Sequence, residues 1–324
     1  MFSFILFALC LSAPSTQAAA IKRRDTPSDL SASSISHFKP YTYYAAAAYC
    51  EPNDLLTWSC GANCDHAANF TPVAAGGDGN AVQHWFVGYD ASVDSIIVGH
   101  QGTDPFKFLS VLTDLEAIQT PLPAAFTGIP DGALVHKGFL DEHTITAPDV
   151  LAAVNSSLAK FSTNSVTIVG HSLGGALSLL DGAYLRVTLP SVHIRVVSFG
   201  MPRVGNAEFA TWIDQNLPEV WHVNNRIDPV PIVPGRHLGY THPAGEVHIK
   251  EDEQWVACSG QDNTDEGCTI ADNNNIITAN VLNHFGPYDG ALMGFCWFNG
   301  GDISTADAAL VQAVAAAAVP KRRA

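Results

Sequence analysis

Short apolar runs alternate with helical patterns through the middle of the chain. His84–Tyr89, Ser95–His100, Ser165–Val169, Ile194–Phe199 and Val220–Asn224 are β-branched, apolar stretches that read as strands. Several are apolar without a break, the pattern of strands covered on both faces. Ser31–Tyr49, Pro148–Phe161, Leu173–Thr188 and Ala207–Leu217 read as helices. Pro148 is placed in a first helical turn, where its missing N–H costs nothing. This alternation predicts an α/β fold with a largely parallel central sheet flanked by helices. No internal repeat and no Pro/Gly/Ser-rich linker divides residues 25–300, which therefore read as one domain.

Composition narrows the class. With 47% hydrophobic and 15% charged residues among 324, the chain is too apolar for a disordered protein. A net charge of −15, from 16 basic and 31 acidic residues, supplies no basic face, so nucleic acid is not an expected partner. The apolar run Phe2–Leu11 is shorter than the ~20 residues a membrane span needs. Small residues follow it, ending in Ala18–Ala19–Ala20, so residues 1–20 read as a signal peptide. A basic n-region is missing, and a signal anchor is the alternative. Lys22–Arg23–Arg24 then closes a short propeptide, 21–24, and its removal with the leader takes the charge from −15 to −18. The tail 301–324 holds the alanine-rich stretch Ala308–Val319 and ends in a basic run. It reads as a surface helix or frayed tail without stable membrane insertion.

The cysteines agree with export. Cys10 lies in the leader, and Cys50, Cys60, Cys64, Cys258, Cys268 and Cys296 remain, with fifteen connectivities open. Short loops favour Cys60–Cys64 and Cys258–Cys268, leaving Cys50–Cys296. The alternative, a metal held by Cys60, Cys64 and His66, lacks a second Cys/His pair at zinc-ligand spacing, and no metal is expected. Asn69–Phe70–Thr71 and Asn155–Ser156–Ser157 are glycosylation sequons.

Gly170–His171–Ser172–Leu173–Gly174 matches the G-x-S-x-G nucleophile elbow. Val166–Val169 ahead of it reads as a buried strand and Leu173–Leu180 behind it as a helix, which is the context the motif requires. The sharp turn forces Ser172 into a strained conformation, and glycines at 170 and 174 leave room for it. It aims Oγ into solvent at the carboxyl edge of the sheet. The Leu173 N–H, in the first helical turn, then faces the oxygen that becomes negative during acyl transfer.

Here the sequence resembles the secreted fungal class 3 lipases, the filamentous-fungal triacylglycerol lipase and feruloyl esterase group of the α/β-hydrolase fold. The resemblance spans essentially the whole mature chain. It is carried by Tyr43–Tyr44 to Tyr49–Cys50, Gly99–His100–Gln101–Gly102–Thr103, Val135–Phe139, Gly170–Ala176, Phe199–Asn206, Arg226–Pro231 and Asn283–His284–Phe285, in that order. The six-cysteine layout is also similar to the family's three-disulfide pattern. One departure is His100–Gln101, where many relatives carry an arginine before the glycine.

A serine hydroxyl needs an imidazole to take its proton and a carboxylate to hold that imidazole, in the chain order Ser, acid, His. On the residues alone Asp228, before the stiffening Pro229, competes with Asp214 and Asp252. The base is open among His237, His242, His248 and His284. His248 alternates with Val247 and Ile249 on a strand face, and His242 sits in a turn. The resemblance implies Asp228 and His284, and gives His171 and His136 packing or hydrogen-bonding roles. It also implies Thr103 as the second oxyanion donor, beside Leu173. After it, Asp104 as N-cap and Pro105 in the first turn predict a short helix. Its face of Pro105, Phe108, Leu109 and Leu112, with Phe106 and Val111 alongside, reads on pattern alone as a core helix and by resemblance as a lid.

The implied function is a secreted, extracellular triacylglycerol lipase. It works through an acyl-enzyme without metal or cofactor, as a monomer on lipid esters at an oil–water interface. The alternatives are a feruloyl or other soluble-ester esterase, a mono- or diacylglycerol lipase, and a non-catalytic lipid-binding protein on the same fold.

Overall fold

The computed structural model describes residues 26–105, 107 and 117–297. The strands are β1 (Ser28–Asp29), β2 (Phe70–Gly76), β3 (Trp85–Asp90), β4 (Ser95–His100), β5 (Gln119–Pro121), β6 (Leu134–His136), β7 (Ser165–His171), β8 (His193–Phe199), β9 (Val220–Asn225), β10 (Glu246–Ile249) and β11 (Trp255–Cys258). The helices that matter here are α1 (Ala32–Ser36), α2 (Lys39–Ala47), α3 (Pro52–Thr57), α4 (Ala62–Asp65), α5 (Lys137–Phe161), α6 (Leu173–Thr188) and α7 (Ala207–Asn216).

Among the described residues nine strands form one sheet in the order β1-β11-β10-β9-β8-β7-β4-β3-β2, while β5 and β6 pair separately. The five central strands, β10, β9, β8, β7 and β4, are mutually parallel. Both edges are finished by antiparallel partners. The sequence explains which strands are central. In β7, Val166 and Ile168 face one layer and Val169 the other, and all are fully buried. Val196 and Val197 of β8 divide in the same way, as a period of two requires. One layer packs Val150, Val154, Leu179 and Leu180 of α5 and α6 and Phe209 of α7 onto the sheet. The other packs Tyr41, Tyr44 and the alanines of α2. Small alanine side chains let α2 lie close to the strands beneath the future site.

The α/β class, the central parallel sheet and the strand positions match the sequence reading, and two helices differ from it. The predicted Ser31–Tyr49 helix is split into α1 and α2 around His37–Phe38, because Pro40 falls at the start of the second. Its ring would clash with the carbonyl of Ser36 if the helix continued. Pro148 is not in a first turn but inside the 25-residue α5, which begins at Lys137. Phe139, Leu140, Ala147 and Val150 are all buried along α5, and that continuous packing outweighs the missing hydrogen bond.

The disulfides are Cys50–Cys296, Cys60–Cys64 and Cys258–Cys268. Cys60 and Cys64 are thus joined to each other, and His66 stacks on Tyr43 at 4.1 Å between ring centroids. The leader, the propeptide and the tail 301–324 lie outside the described residues. Among the described residues no helix is long and apolar enough to cross a membrane.

Two buried histidines brace the loop that follows β9. The His222 and His242 rings stack at 4.7 Å. His242 donates Nε2–H to the Pro231 carbonyl at 2.9 Å, and His222 donates to the Pro243 carbonyl at 3.1 Å. Burial pushes both imidazoles down from 6.5 to about 3, so both are neutral in the fold. Between these values the unfolded chain binds protons that the native state refuses, so stability falls as pH drops from 6.5 toward about 3. The midpoint of thermal unfolding should therefore fall steadily over that window, and His222→Gln should flatten part of the slope. An unchanged slope in the variant would remove these histidines as its cause.

Candidate active site

The site lies at the carboxyl ends of β4, β7, β8 and β9. β7 ends at His171, and Ser172 occupies the turn into α6 with φ 59° and ψ −128°. This is a left-handed-side conformation that an L-residue adopts only when its surroundings hold it there. A Cβ at Gly170 would lie 2.1 Å from the Gly174 carbonyl oxygen, and one at Gly174 would lie 2.2 Å from that of His100. The glycines are therefore required by backbone packing. The Ser172 N–H donates to the Phe199 carbonyl at 2.9 Å, and its own carbonyl accepts from Gly175 and Ala176 to start α6. Ser172 is only 4% exposed. That differs from the solvent-facing hydroxyl the elbow alone predicts. The loop after β4 lies across it, so close that a Cβ on Gly102 would sit 2.9 Å from the Ser172 Cβ.

Asp228 and His284 meet beside it. His284 donates Nδ1–H to Asp228 Oδ2 at 2.8 Å, and both are fully buried. Asp228 Oδ1 accepts from the Val230 N–H at 2.8 Å, so the carboxylate is held at both oxygens. The Asn273 side chain donates to the Asp228 carbonyl, and the Asn225 side chain donates to that of Asn283. The first ties the loop of Asp228 to the helix Thr269–Asp272, and the second ties the loop of His284 to the end of β9. Gly200, with φ 54°, fits under the pair: a Cβ there would be 2.9 Å from both Asp228 Oδ2 and His284 Nδ1. The competing residues serve elsewhere. Asp214 accepts from the Ala244 N–H, His242 holds Pro231, His248 lies on β10 against the Gly267 and Arg226 carbonyls, and His237 sits in a surface turn.

His171 links the pieces from below. Its ring centroid is 4.4 Å from that of His284, and it donates Nε2–H to the His284 carbonyl at 2.7 Å. Burial, aided by the neighbouring His284, pushes His171 well below the usual histidine range. A neutral ring with Nε2–H presents a lone pair at Nδ1, so the Tyr49 hydroxyl donates to it at 2.6 Å. The Gly102 N–H in turn donates to the Tyr49 oxygen. One hydrogen-bond chain thus runs from the loop bearing Thr103 to the loop bearing His284. Tyr288 adds its hydroxyl between the His284 carbonyl, 3.1 Å away, and the Asp228 carboxylate. The linking roles of Tyr49 and Tyr288 were not legible in sequence. Tyr49 stands in a recognised motif, and Tyr288 follows His284 by four residues with no spacing that marks it.

Thr103 is half-buried on the loop next to Ser172, and Leu173 is the first residue of α6. Of the expected lid, Asp104 and buried Pro105 are described; Phe106, Phe108, Leu109 and Leu112 lie outside the described residues. His136 caps α5 through its ring nitrogen, which accepts from the Phe139 N–H.

A strained serine at a strand-to-helix turn, in a sheet of this order, defines an α/β-hydrolase. Residues 97–238 match the family Lipase (class 3). The secreted mono- and diacylglycerol lipase MDL2 of Malassezia globosa is 32% identical over 225 residues, covering 68% of this chain and 73% of that protein. The secreted mono- and diacylglycerol lipase 3 of Gibberella zeae is 32% identical over 194 residues, 58% of this chain and 60% of that one. Among solved structures, the lipase of Rhizopus microsporus var. chinensis superposes with a TM-score of 0.74 at 24% identity, covering 91% of this chain and all of that one. The chain belongs to the class 3 lipase family and is, with that family, a carboxylic ester hydrolase.

Gly174→Ala should destabilise the fold by about 1–3 kcal/mol in denaturant unfolding and lower ester hydrolysis with it, because the new methyl meets backbone rather than a movable side chain. Wild-type stability in this variant would contradict the packing around the elbow.

Proposed function

We propose that this chain is a secreted lipase that cleaves acylglycerols through an acyl-enzyme on Ser172. The observation that carries the reading is the buried Asp228–His284 pair, 2.8 Å apart, beside a serine held in a strained turn. Ser172 Oγ attacks the ester carbonyl and its proton passes to His284 Nε2, while Asp228 holds the ring through Nδ1. The tetrahedral oxyanion is met by the Leu173 N–H and by Thr103. His284 then gives its proton to the departing alcohol. Water, deprotonated by the same histidine, attacks the acyl-enzyme and restores Ser172 as the fatty acid leaves.

The segment from Asp104 to Leu112 is proposed as the lid. Ser172 is 4% exposed and His284 is fully buried, so an ester reaches them only if something over the site moves. A segment whose sequence is amphipathic, next to the loop of Thr103, is suited to that. Triacylglycerol is the substrate the sequence resemblance implies. Partial glycerides are the second reading, supported by the names of the Malassezia and Gibberella relatives. The chain is further proposed to act as a monomer comprising a domain from 25 to 300, after loss of 1–24. Glycans are proposed at Asn69 and Asn155, both exposed.

Hydrolysis should be measured against tributyrin through its solubility limit, with Ser172→Ala as the blank. A rate that jumps when droplets form is expected, and a serine-directed phosphonate should label Ser172. Asp228→Asn should keep the fold and lose about 10⁴-fold in kcat. Replacing Phe108 and Leu109 by serine should abolish the jump while sparing soluble esters. Trioleate, dioleate and monooleate glycerides offered in parallel then decide between the two substrate readings, and failure to label Ser172 would overturn both.

A further inference from the structure

The departure from the family pattern at His100–Gln101 coincides with a buried ionic cluster that the triad does not use. His100, the last residue of β4, donates Nε2–H to Asp181 Oδ2 at 2.6 Å. His143, on α5, donates Nε2–H to Asp181 Oδ1 at 2.8 Å. All three side chains are 1% exposed. Burial works to raise the Asp181 carboxyl, but the bonds from His100 and His143 outweigh it and hold the group well below its usual range. The carboxylate is therefore ionised, with each oxygen committed to a different imidazole.

Stability alone does not call for such a cluster. Burying a charge is costly even when it is well paired, and apolar replacements of similar size are often as stable. Directed hydrogen bonds supply something apolar contacts do not, a fixed position between elements that would otherwise slide. The elements joined here are the ones that matter. Asp181 lies on α6, whose first residue is Leu173, and His100 immediately precedes Gln101–Gly102–Thr103. The His100 carbonyl also packs on Gly174, where a Cβ would come within 2.2 Å.

We propose that His100, Asp181 and His143 are positioning residues for the oxyanion hole, cross-linking β4 to α6 so that Thr103 and the Leu173 N–H converge on one point. This rests on the reading that those two groups hold the oxyanion. The hydrogen bond from His100 to Asp181 sets the distance between the two halves. His143, by occupying the second oxygen, stops the carboxylate from rotating. Neither imidazole touches substrate.

The test is Asp181→Asn, which keeps the size but leaves one imidazole without its acceptor. With a soluble ester, kcat should fall about 10–10²-fold while KM stays within about twofold. Affinity for an alkyl boronic acid, which mimics the tetrahedral state, should fall in step with kcat. His100→Gln, whose amide N–H reaches Asp181, should recover most of the rate that His100→Ala loses. That pair carries the test if Asp181→Asn does not fold. Val154→Ala, a cavity on α5, should lower the unfolding midpoint and leave kcat unchanged.

Two results overturn the proposal: kcat and boronate affinity near wild type in a folded Asp181→Asn, or an equal kcat loss in Val154→Ala. Phosphonate labelling of Ser172 in the parent enzyme separates the two levels of the argument. Labelling with full activity in Asp181→Asn removes only the cluster's role. Absence of labelling removes the acyl-enzyme reading and this inference with it.

Discussion

The structure is organised around a single turn. Ser172 sits at φ 59° and ψ −128° between β7 and α6, and nothing in its own chemistry favours that conformation. It is held by backbone on three sides. The Gly174 oxygen lies over Gly170, the His100 oxygen lies over Gly174, and the Ser172 N–H is bonded to Phe199 of β8. Two of these contacts come from neighbouring strands, β4 and β8, and the third from the first turn of α6. The strain is therefore sustained by the register of β4, β7 and β8, and a change in any of them moves Ser172. The apolar packing that fixes the register, Val98 against Ile168 against Val196, in this sense also positions Ser172.

Around that turn the protein uses neutral, buried histidines as directional joints. His171, His222 and His242 are all driven below the ordinary histidine range, chiefly by burial. A neutral imidazole carries one donor and one acceptor at fixed positions, so it joins two groups without introducing a charge. His171 ties Tyr49 to the His284 carbonyl through both ring nitrogens, while His222 and His242 stack on each other and each holds one carbonyl, Pro243 and Pro231. The loops that carry Asp228, His284 and Thr103 would each be mobile as isolated segments. They become one assembly because their backbones are bonded to a common set of buried rings.

The fold class and the elbow were legible because their signals are local. A continuous apolar run is a central strand, and two glycines flanking a serine after such a run mark the turn. Asp228 and His284 were not separable from Asp214, Asp252, His237, His242 and His248 by local pattern, since what singles them out is a 56-residue separation closed by the sheet topology. Only the resemblance to a family ordered them. Pro148 misled for a related reason: a local rule placed it at a helix start, while the buried face from Phe139 to Val150 carries the helix through it. The hydrogen-bond chain through Tyr49 and the cluster at Asp181 join residues 122, 81 and 38 positions apart, and no period or spacing encodes such contacts.

The departure at position 101 has a chemical logic of its own. Gln101 is buried at 6% exposure, and its side-chain carbonyl accepts from the His84 N–H at 2.8 Å while its own N–H donates to the His84 carbonyl at 2.8 Å. The amide thus completes a two-way clamp onto the start of β3. An arginine has five donors and no acceptor, so in this place it would leave the His84 N–H unmet and bring a second charge into the interior. The neutral amide and the His100–Asp181 bond belong together. With the ionic tether supplied one residue earlier, position 101 is free to hold the loop through backbone-matching hydrogen bonds. The same loop geometry is then maintained from two directions, α6 on one side and β3 on the other, with Gly102 seated against Ser172 between them.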